Sequence, residues 1–161
     1  MQFWDTSAIM PLISREPLSE EMRRLPEEDA GMVVWWATRV ECVSAISRRA
    51  REGSLGTESE ASARGLLDDL SESWTEARPT TRLRALAEQV LTAHASRAAG
   101  ALQLSSAVIW CGSQPRGRSF ACLDGRLRTA ASRSGFALLP NNIFWACGYS
   151  LLDLPRVRRR T

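Results

Sequence analysis

The chain has 161 residues, 44% hydrophobic and 24% charged, the make-up of one globular domain with a core of its own. No apolar run approaches the roughly 20 residues of a membrane-spanning helix, and no basic segment followed by an apolar stretch opens the chain, so a cytoplasmic protein with no membrane partner is expected. The net charge is +3, yet Arg156, Arg158, Arg159 and Arg160 supply four positive charges, and without them 17 basic residues face 18 acidic ones, so charge alone makes no case for a nucleic-acid-binding body.

Residues 1–4 read as a short buried strand, followed by a helix capped by Thr6 or Ser7 and carrying Ile9, Met10, Leu12 and Ile13. Glu20 to Arg24 form a polar helical piece that Leu25-Pro26 should end. Met32 to Trp36 is a β-type run, and Thr38 is expected to cap a helix reaching about Glu52, with Val40, Val43 and Ile46 on its core stripe and Gly53 as its stop. Residues 57–72 form another helix (Ala61, Leu66, Leu67, Leu70), and Trp74 to Ala77 a short strand. Thr80 or Thr81 opens the most periodic helix, where Leu83, Leu86, Ala87, Val90, Leu91 and His94 recur at i, i+3, i+4 spacing. Then come an apolar helix over 98–111, a strand over 119–123, a helix over 125–134 stopped by Gly135, and a last strand over 136–139. Strands alternating with helices predict an α/β domain with a central parallel sheet.

Three acidic residues follow strand-like runs: Asp5 after the first, Glu41 shortly after the second, and Asp124 after Phe-Ala-Cys-Leu. In a parallel α/β sheet the strand C-termini converge on one crevice, and ligands bind there. Carboxylates gathered in that crevice repel one another unless a cation or proton compensates, and oxygen ligands suit Mg²⁺ or Mn²⁺. The competing explanation for each is local: Asp5 and Asp124 as helix caps, Glu41 as a solvated first-turn acid favoured by the helix dipole. Thr6 and Ser7 offer hydroxyls beside Asp5, and Arg48 shares a helical face with Glu41 and can meet substrate phosphate there. The four cysteines are scattered and His94 is the only histidine, which leaves out zinc spacing and nucleophile–histidine catalysis.

With these residues in view, the chain resembles the PIN-domain ribonucleases, in particular the VapC-like toxins of type II toxin–antitoxin modules. MQFWDTSAI (1–9) is similar to the opening strand and first aspartate of that family, TRVECVSAISRR (38–49) to the helix with its glutamate, HASRAAGALQLSSA (94–107) to its central helix, and FACLDGRLRTAASRSG (120–135) to its last aspartate and following helix. The resemblance implies a three-layer α/β/α PIN-like domain over residues 1–140, with 141–161 as a C-terminal extension ending in a basic tail. It implies a Mg²⁺- or Mn²⁺-dependent endoribonuclease with Asp5, Glu41 and Asp124 as catalytic metal ligands. It also implies an RNA substrate, a cognate antitoxin and a homodimer. An antitoxin groove is expected to use Ile9, Leu12, Ile13 and the Leu66–Leu70 face. One departure stands out: the family places an aspartate in the central helix where this chain has Gly100. Gly100 is either natural to a degenerate site or an inactivating substitution. The alternative function is therefore a PIN-fold protein that binds antitoxin or RNA without cleaving.

Overall fold

The computed structural model of the chain describes residues 1–94 and 96–141. Among them are five strands, β1 (Gln2–Trp4), β2 (Met32–Trp35), β3 (Thr75–Ala77), β4 (Ser119–Ala121) and β5 (Ala137–Leu139). Seven helices accompany them: α1 (Thr6–Ile13), α2 (Ser19–Glu28), α3 (Thr38–Arg51), α4 (Thr57–Ser73), α5 (Thr81–Ala93), α6 (Ala98–Trp110) and α7 (Gly125–Ser134). The expected extension, with Phe144, Trp145 and the arginines from Arg156 to Arg160, lies outside the described residues beyond Asn141.

The strands form one sheet in the order β3-β2-β1-β4-β5, and every pair is parallel. Alternation along the strands sends neighbouring side chains to opposite faces. Phe3, Val33 and Phe120 pack with α5, α6 and α7, while Trp4, Val34 and Ala121 pack with α1 to α4. Two cores on two faces give the expected α/β/α layering. The central strands β1 and β2 are buried along their whole length because both faces are covered, whereas the edge strand β3, Thr75-Glu76-Ala77, is largely exposed. On the first face Phe3 stacks on Phe120, centroids 5.4 Å apart, and Phe136 closes against Phe120 at 5.5 Å.

The chain fills the sheet outward from β1 through β2 to β3, then returns to place β4 on the other side of β1. That reversal is the topological switch point, and the crevice outside the carboxyl ends of β1 and β4 is where such a sheet binds ligands. Asp5 N donates to Ala121 O at 2.9 Å, so the β1–β4 pairing runs up to the first acid.

Several local expectations give way to tertiary context. Asp5, not Thr6 or Ser7, caps α1, because its carboxylate accepts the Ser7 amide. Ala37 is the N-cap of α3 and Thr38 its first buried residue. Pro26 does not end α2, which runs on to Glu28; a proline removes one ladder bond at its own position without preventing later residues from making theirs. Val40, Leu66 and Leu91 are exposed by 66%, 44% and 41%, and Ala61 is exposed as well. On α3 the buried stripe is Thr38, Cys42 and Ile46, and Val40 lies about 200° around from Cys42 at about 100° per residue. Val40→Ala is therefore expected to change stability by less than about 0.5 kcal/mol, whereas Ile46→Val costs about 0.5–1.5 kcal/mol. Urea melts of the two variants check the assignment of faces, and equal losses would contradict it.

Candidate active site

Asp5 leaves β1 and caps α1; Asp124 leaves β4 and caps α7 by accepting the Leu127 amide at 2.8 Å. Ser7 binds the two junctions together. Its hydroxyl donates to Asp5 Oδ2 and accepts the backbone amides of Leu123 at 2.8 Å and Asp124 at 3.2 Å. Glu41, in the first turn of α3, is gripped through Oε2 by the Thr6 hydroxyl and by Gln103 Nε2 at 2.8 Å. Gln103, only 1% exposed, also donates to Thr6 Oγ1 at 2.9 Å, which joins α6 to the other two walls.

Each carboxylate spends one oxygen on this scaffold. Asp5 Oδ1, Glu41 Oε1 and Asp124 Oδ2 take no hydrogen bond from any described residue. Asp5 is 6% exposed, and burial raises its carboxyl from 3.8 to about 6, with hydrogen bonds from Ser7 opposing the rise and the charge of Glu41 adding to it. Burial, together with the charges of Glu41 and Asp5, also pushes the Cys42 thiol up to about 12, and burial with Asp5 nearby holds Cys122 well above its usual range. Neither thiol is available as a thiolate nucleophile at neutral pH.

Asp5, Glu41 and Asp124 line one cleft of about 860 Å³, within the size range of ligand sites. Gly100 lines it too, and so do Ser7 and Gln103. Among the described residues, no three acidic, histidine or cysteine side chains approach closely enough to enclose one ion. Thr6 contributes from behind, through Glu41. Arg48 does not line the cleft and is exposed. It shares a helical face with Glu41, but seven residues carry it about 10 Å along the axis at 1.5 Å per residue. Ile9 and Ile13, expected on an antitoxin groove, are buried at 0% and 3% exposure, because α1 turns them onto Trp4 and its neighbours in the core.

Two residues that sequence reasoning did not single out complete the cleft. Arg97 and Arg126 line it at the starts of α6 and α7, with no hydrogen bond or ion pair from either side chain among the described residues. Their signal was present in the sequence: Arg97 lies three residues before Gly100, and Arg126 two after Asp124. The cleft thus sets one buried acid, Asp5, with the half-buried Glu41 and the exposed Asp124, against exposed guanidinium groups and two helix N-termini, a distribution suited to a phosphodiester held beside a cation.

No protein-family model matches the chain, and comparison with curated proteins finds no match. Solved structures do match. FitAcB from Neisseria gonorrhoeae superposes with a TM-score of 0.60 at 14% identity, over 86% of this chain and 96% of that one. VapC20 of Mycobacterium tuberculosis, a toxin that cleaves the sarcin–ricin loop, superposes with a TM-score of 0.61 at 20% identity, over 85% of this chain and 97% of that one. At these identities the likeness establishes the fold, and it is the PIN-like α/β fold expected from the sequence.

Proposed function

We propose that this protein is a metal-dependent endoribonuclease toxin of a toxin–antitoxin pair, working in the cleft at the switch point and impaired by glycine at position 100. The observation that carries the reading is the meeting of Asp5, Glu41 and Asp124 on one cleft, each with a carboxylate oxygen left over. The likeness in fold to a toxin that cleaves the sarcin–ricin loop supports RNA as the substrate class.

The donors present fit a hard divalent cation. Asp5 and Glu41 offer oxygens only, their mutual repulsion is felt at Asp5, and each has an oxygen to spare. Mg²⁺ is commonly held by one or two carboxylates, with water and substrate phosphate completing its coordination, so an enclosing set of three is not required. A Mg²⁺ or Mn²⁺ ion there would supply charge neutralisation and a bound water of lowered pKa. Asp124, exposed at the rim of the same cleft, would be the third oxygen donor. Ser7 and Thr6 hold Asp5 and Glu41 in place through one oxygen of each carboxylate and leave the other without a hydrogen bond among the described residues. Arg97 and Arg126 bind the phosphates that flank the scissile bond, and their fixed charge favours the developing negative charge of an in-line displacement.

The second reading, a PIN-fold protein that binds antitoxin or RNA without cleaving, is favoured by one observation, the glycine in place of an acid at position 100. In either reading residues 1–140 are the working domain, a cytoplasmic homodimer with its antitoxin, and residues 141–161 a basic appendage. Leu66 is exposed and Leu12 and Leu70 are half-buried, so these three remain of the expected antitoxin surface. The test is incubation of purified protein with structured RNA, with Mn²⁺ and with chelator. Slow cleavage that requires the ion and disappears in Asp5→Asn is expected. Cleavage that persists in chelator, or that Asp5→Asn leaves intact, would remove the metal-nuclease reading; RNA binding without any cleavage would establish the second.

A further inference from the structure

Gln103 reaches from α6 to the starts of α1 and α3, the helices that follow Asp5 and carry Glu41. Its side chain is 1% exposed, and Nε2 lies 2.8 Å from Glu41 Oε2, 2.9 Å from Thr6 Oγ1 and 3.2 Å from Thr38 Oγ1. One amide nitrogen thus ties three helices where Glu41 enters the cleft. The Thr6 hydroxyl donates to the same Glu41 oxygen, which closes a ring of Gln103, Thr6 and Glu41. Hydrogen bonding fixes the amide this way round: turned over, Oε1 would oppose the Glu41 carboxylate, acceptor against acceptor.

The other end of the amide is bare. Gln103 Oε1 is buried with no hydrogen-bond partner among the described residues, and an unpaired buried acceptor costs stability. Leucine or methionine would fill a similar volume with no polar atom to bury. Packing therefore does not account for a glutamine here; its two N–H groups do. They also do what a lysine or arginine could not. Gln103, Thr6 and Thr38 are uncharged, and no cation among the described residues pairs with Glu41, so Glu41 is held with its charge unopposed. A carboxylate oxygen offers about two lone-pair sites. On Glu41 Oε2 the Thr6 hydroxyl and the Gln103 amide fill both, and on Asp5 Oδ2 the amide and hydroxyl of Ser7 do the same. Each of these carboxylates is left with one oxygen. Mg²⁺ is held by few carboxylates in a strict octahedron completed by water, whereas Ca²⁺ takes about six to eight oxygens in a flexible shell that admits bidentate carboxylates.

We infer that Gln103 is a positioning residue for the cation of this cleft: its amide occupies Glu41 Oε2, so that the carboxylate meets an ion through Oε1 alone and the cleft prefers Mg²⁺ to Ca²⁺. The inference rests on the divalent-ion reading of the cleft and adds to it what sets the choice of ion. Gln103 acts through Glu41 and touches neither ion nor substrate in this role.

The experiment follows the backbone amide resonances of Ser7 and Glu41 in the ¹⁵N-labelled full chain, titrated separately with Mg²⁺ and Ca²⁺, for the wild type and Gln103→Leu, with urea melts of both. The wild type should bind Mg²⁺ more tightly than Ca²⁺. Gln103→Leu should fold and lose little stability, since the orphaned Oε1 goes with the amide. It should bind Mg²⁺ about 10- to 100-fold more weakly, the range for groups that support a metal ligand, and lose the preference as Oε2 becomes free to join Oε1 on Ca²⁺. A merely structural glutamine gives the opposite pattern, a marked loss of stability with both ion affinities unchanged in the folded variant; that result overturns the inference and leaves the ion site standing. A wild type that binds Ca²⁺ as tightly as Mg²⁺ overturns it as well. Should Gln103→Leu not fold, Thr6→Val decides, being similar in shape and lacking the other donor to Oε2: it should shift the preference the same way, and an unchanged preference overturns the inference. Resonances that neither ion moves, in the wild type and in Gly100→Asp alike, remove the divalent-ion reading and the inference with it. If Gln103→Leu loses the preference but the wild type cleaves no RNA with Mg²⁺ or Mn²⁺, the positioning role stands and the nuclease reading falls.

Discussion

At pH 7, Asp5→Asn is expected to yield a protein that is more stable than the wild type and no longer cleaves RNA. The carboxyl of Asp5 holds its proton to about pH 6 in the folded chain and to about 3.9 in the unfolded one. Between those values the folded state binds more protons than the unfolded state, so the Asp5 contribution to stability falls as pH rises through the window, and above pH 6 the whole penalty applies. A shift of about two units corresponds to a penalty on the order of 3 kcal/mol, most of it from burial of the charge. Asparagine keeps an oxygen for the Ser7 amide and hydroxyl and carries no charge to bury. Its stabilising effect should therefore be largest above pH 6 and vanish near pH 4, which urea melts at the two pH values measure. Because an ion can bind only the ionised carboxylate, added Mn²⁺ should stabilise the wild type at pH 7 much more than at pH 5, and should do little for Asp5→Asn. A variant less stable than wild type at pH 7, or one stabilised equally by Mn²⁺, would mean that the buried charge of Asp5 is not held for a cation.

Gly100→Asp is expected to strengthen divalent-ion binding and raise RNA cleavage by at least about 10- to 100-fold, the range that even indirect supports of a metal site contribute. The position can take a side chain. An added Cβ would lie 3.0 Å from Ser96 Oγ and 3.8 Å from Leu127 Cδ1, and the serine hydroxyl is the movable end of a short side chain, so a small rotation relieves the contact. Gly100 is the third residue of α6, where a carboxylate is favoured by the helix dipole, worth about 0.3–1 kcal/mol. It also lines a cleft that Arg97 and Arg126 line with no ion pair among the described residues. Without an acid at this position those arginines oppose an approaching cation, and a carboxylate between them would offset their field. Gly100→Asn is the control: similar in size, uncharged, and expected to recover little. Calorimetric titration with Mn²⁺, cleavage rates, and survival of cells expressing each variant without antitoxin are the measurements. Equal metal affinity and equal cleavage in Gly100→Asp and wild type, both folded, would show that an acid at this position plays no part in the site.

The sequence by itself determined the elements and the points where chemistry enters the chain. Met32 to Trp36 reads as a β-type run after Gly31, and Met32–Trp35 forms a strand buried along its length. Thr80 and Gly135 mark a helix start and a helix end through strictly local hydrogen bonding, with Gly135 in the left-handed conformation that favours glycine. Asp5 and Asp124 stand at strand-to-helix junctions for the same local reason, and both do cap helices. Tertiary structure alone decided what those positions share. Pairing of Phe3 with Phe120 joins residues more than a hundred positions apart, and no periodicity within either segment encodes that partnership. The same holds for the faces of the helices. Val40 and Cys42 are both apolar in α3, and only the packing of α3 against α1 and α4 sends one to solvent and the other inward. Arg48 misses the cleft because distance along a helix axis does not appear on a helical wheel, and Arg97 and Arg126 enter it because β4 returns beside β1. Local free energies are summed over neighbours in sequence and can be read there; the choice of which surfaces meet is made by burial between distant segments, and it exists only once the chain has closed on itself.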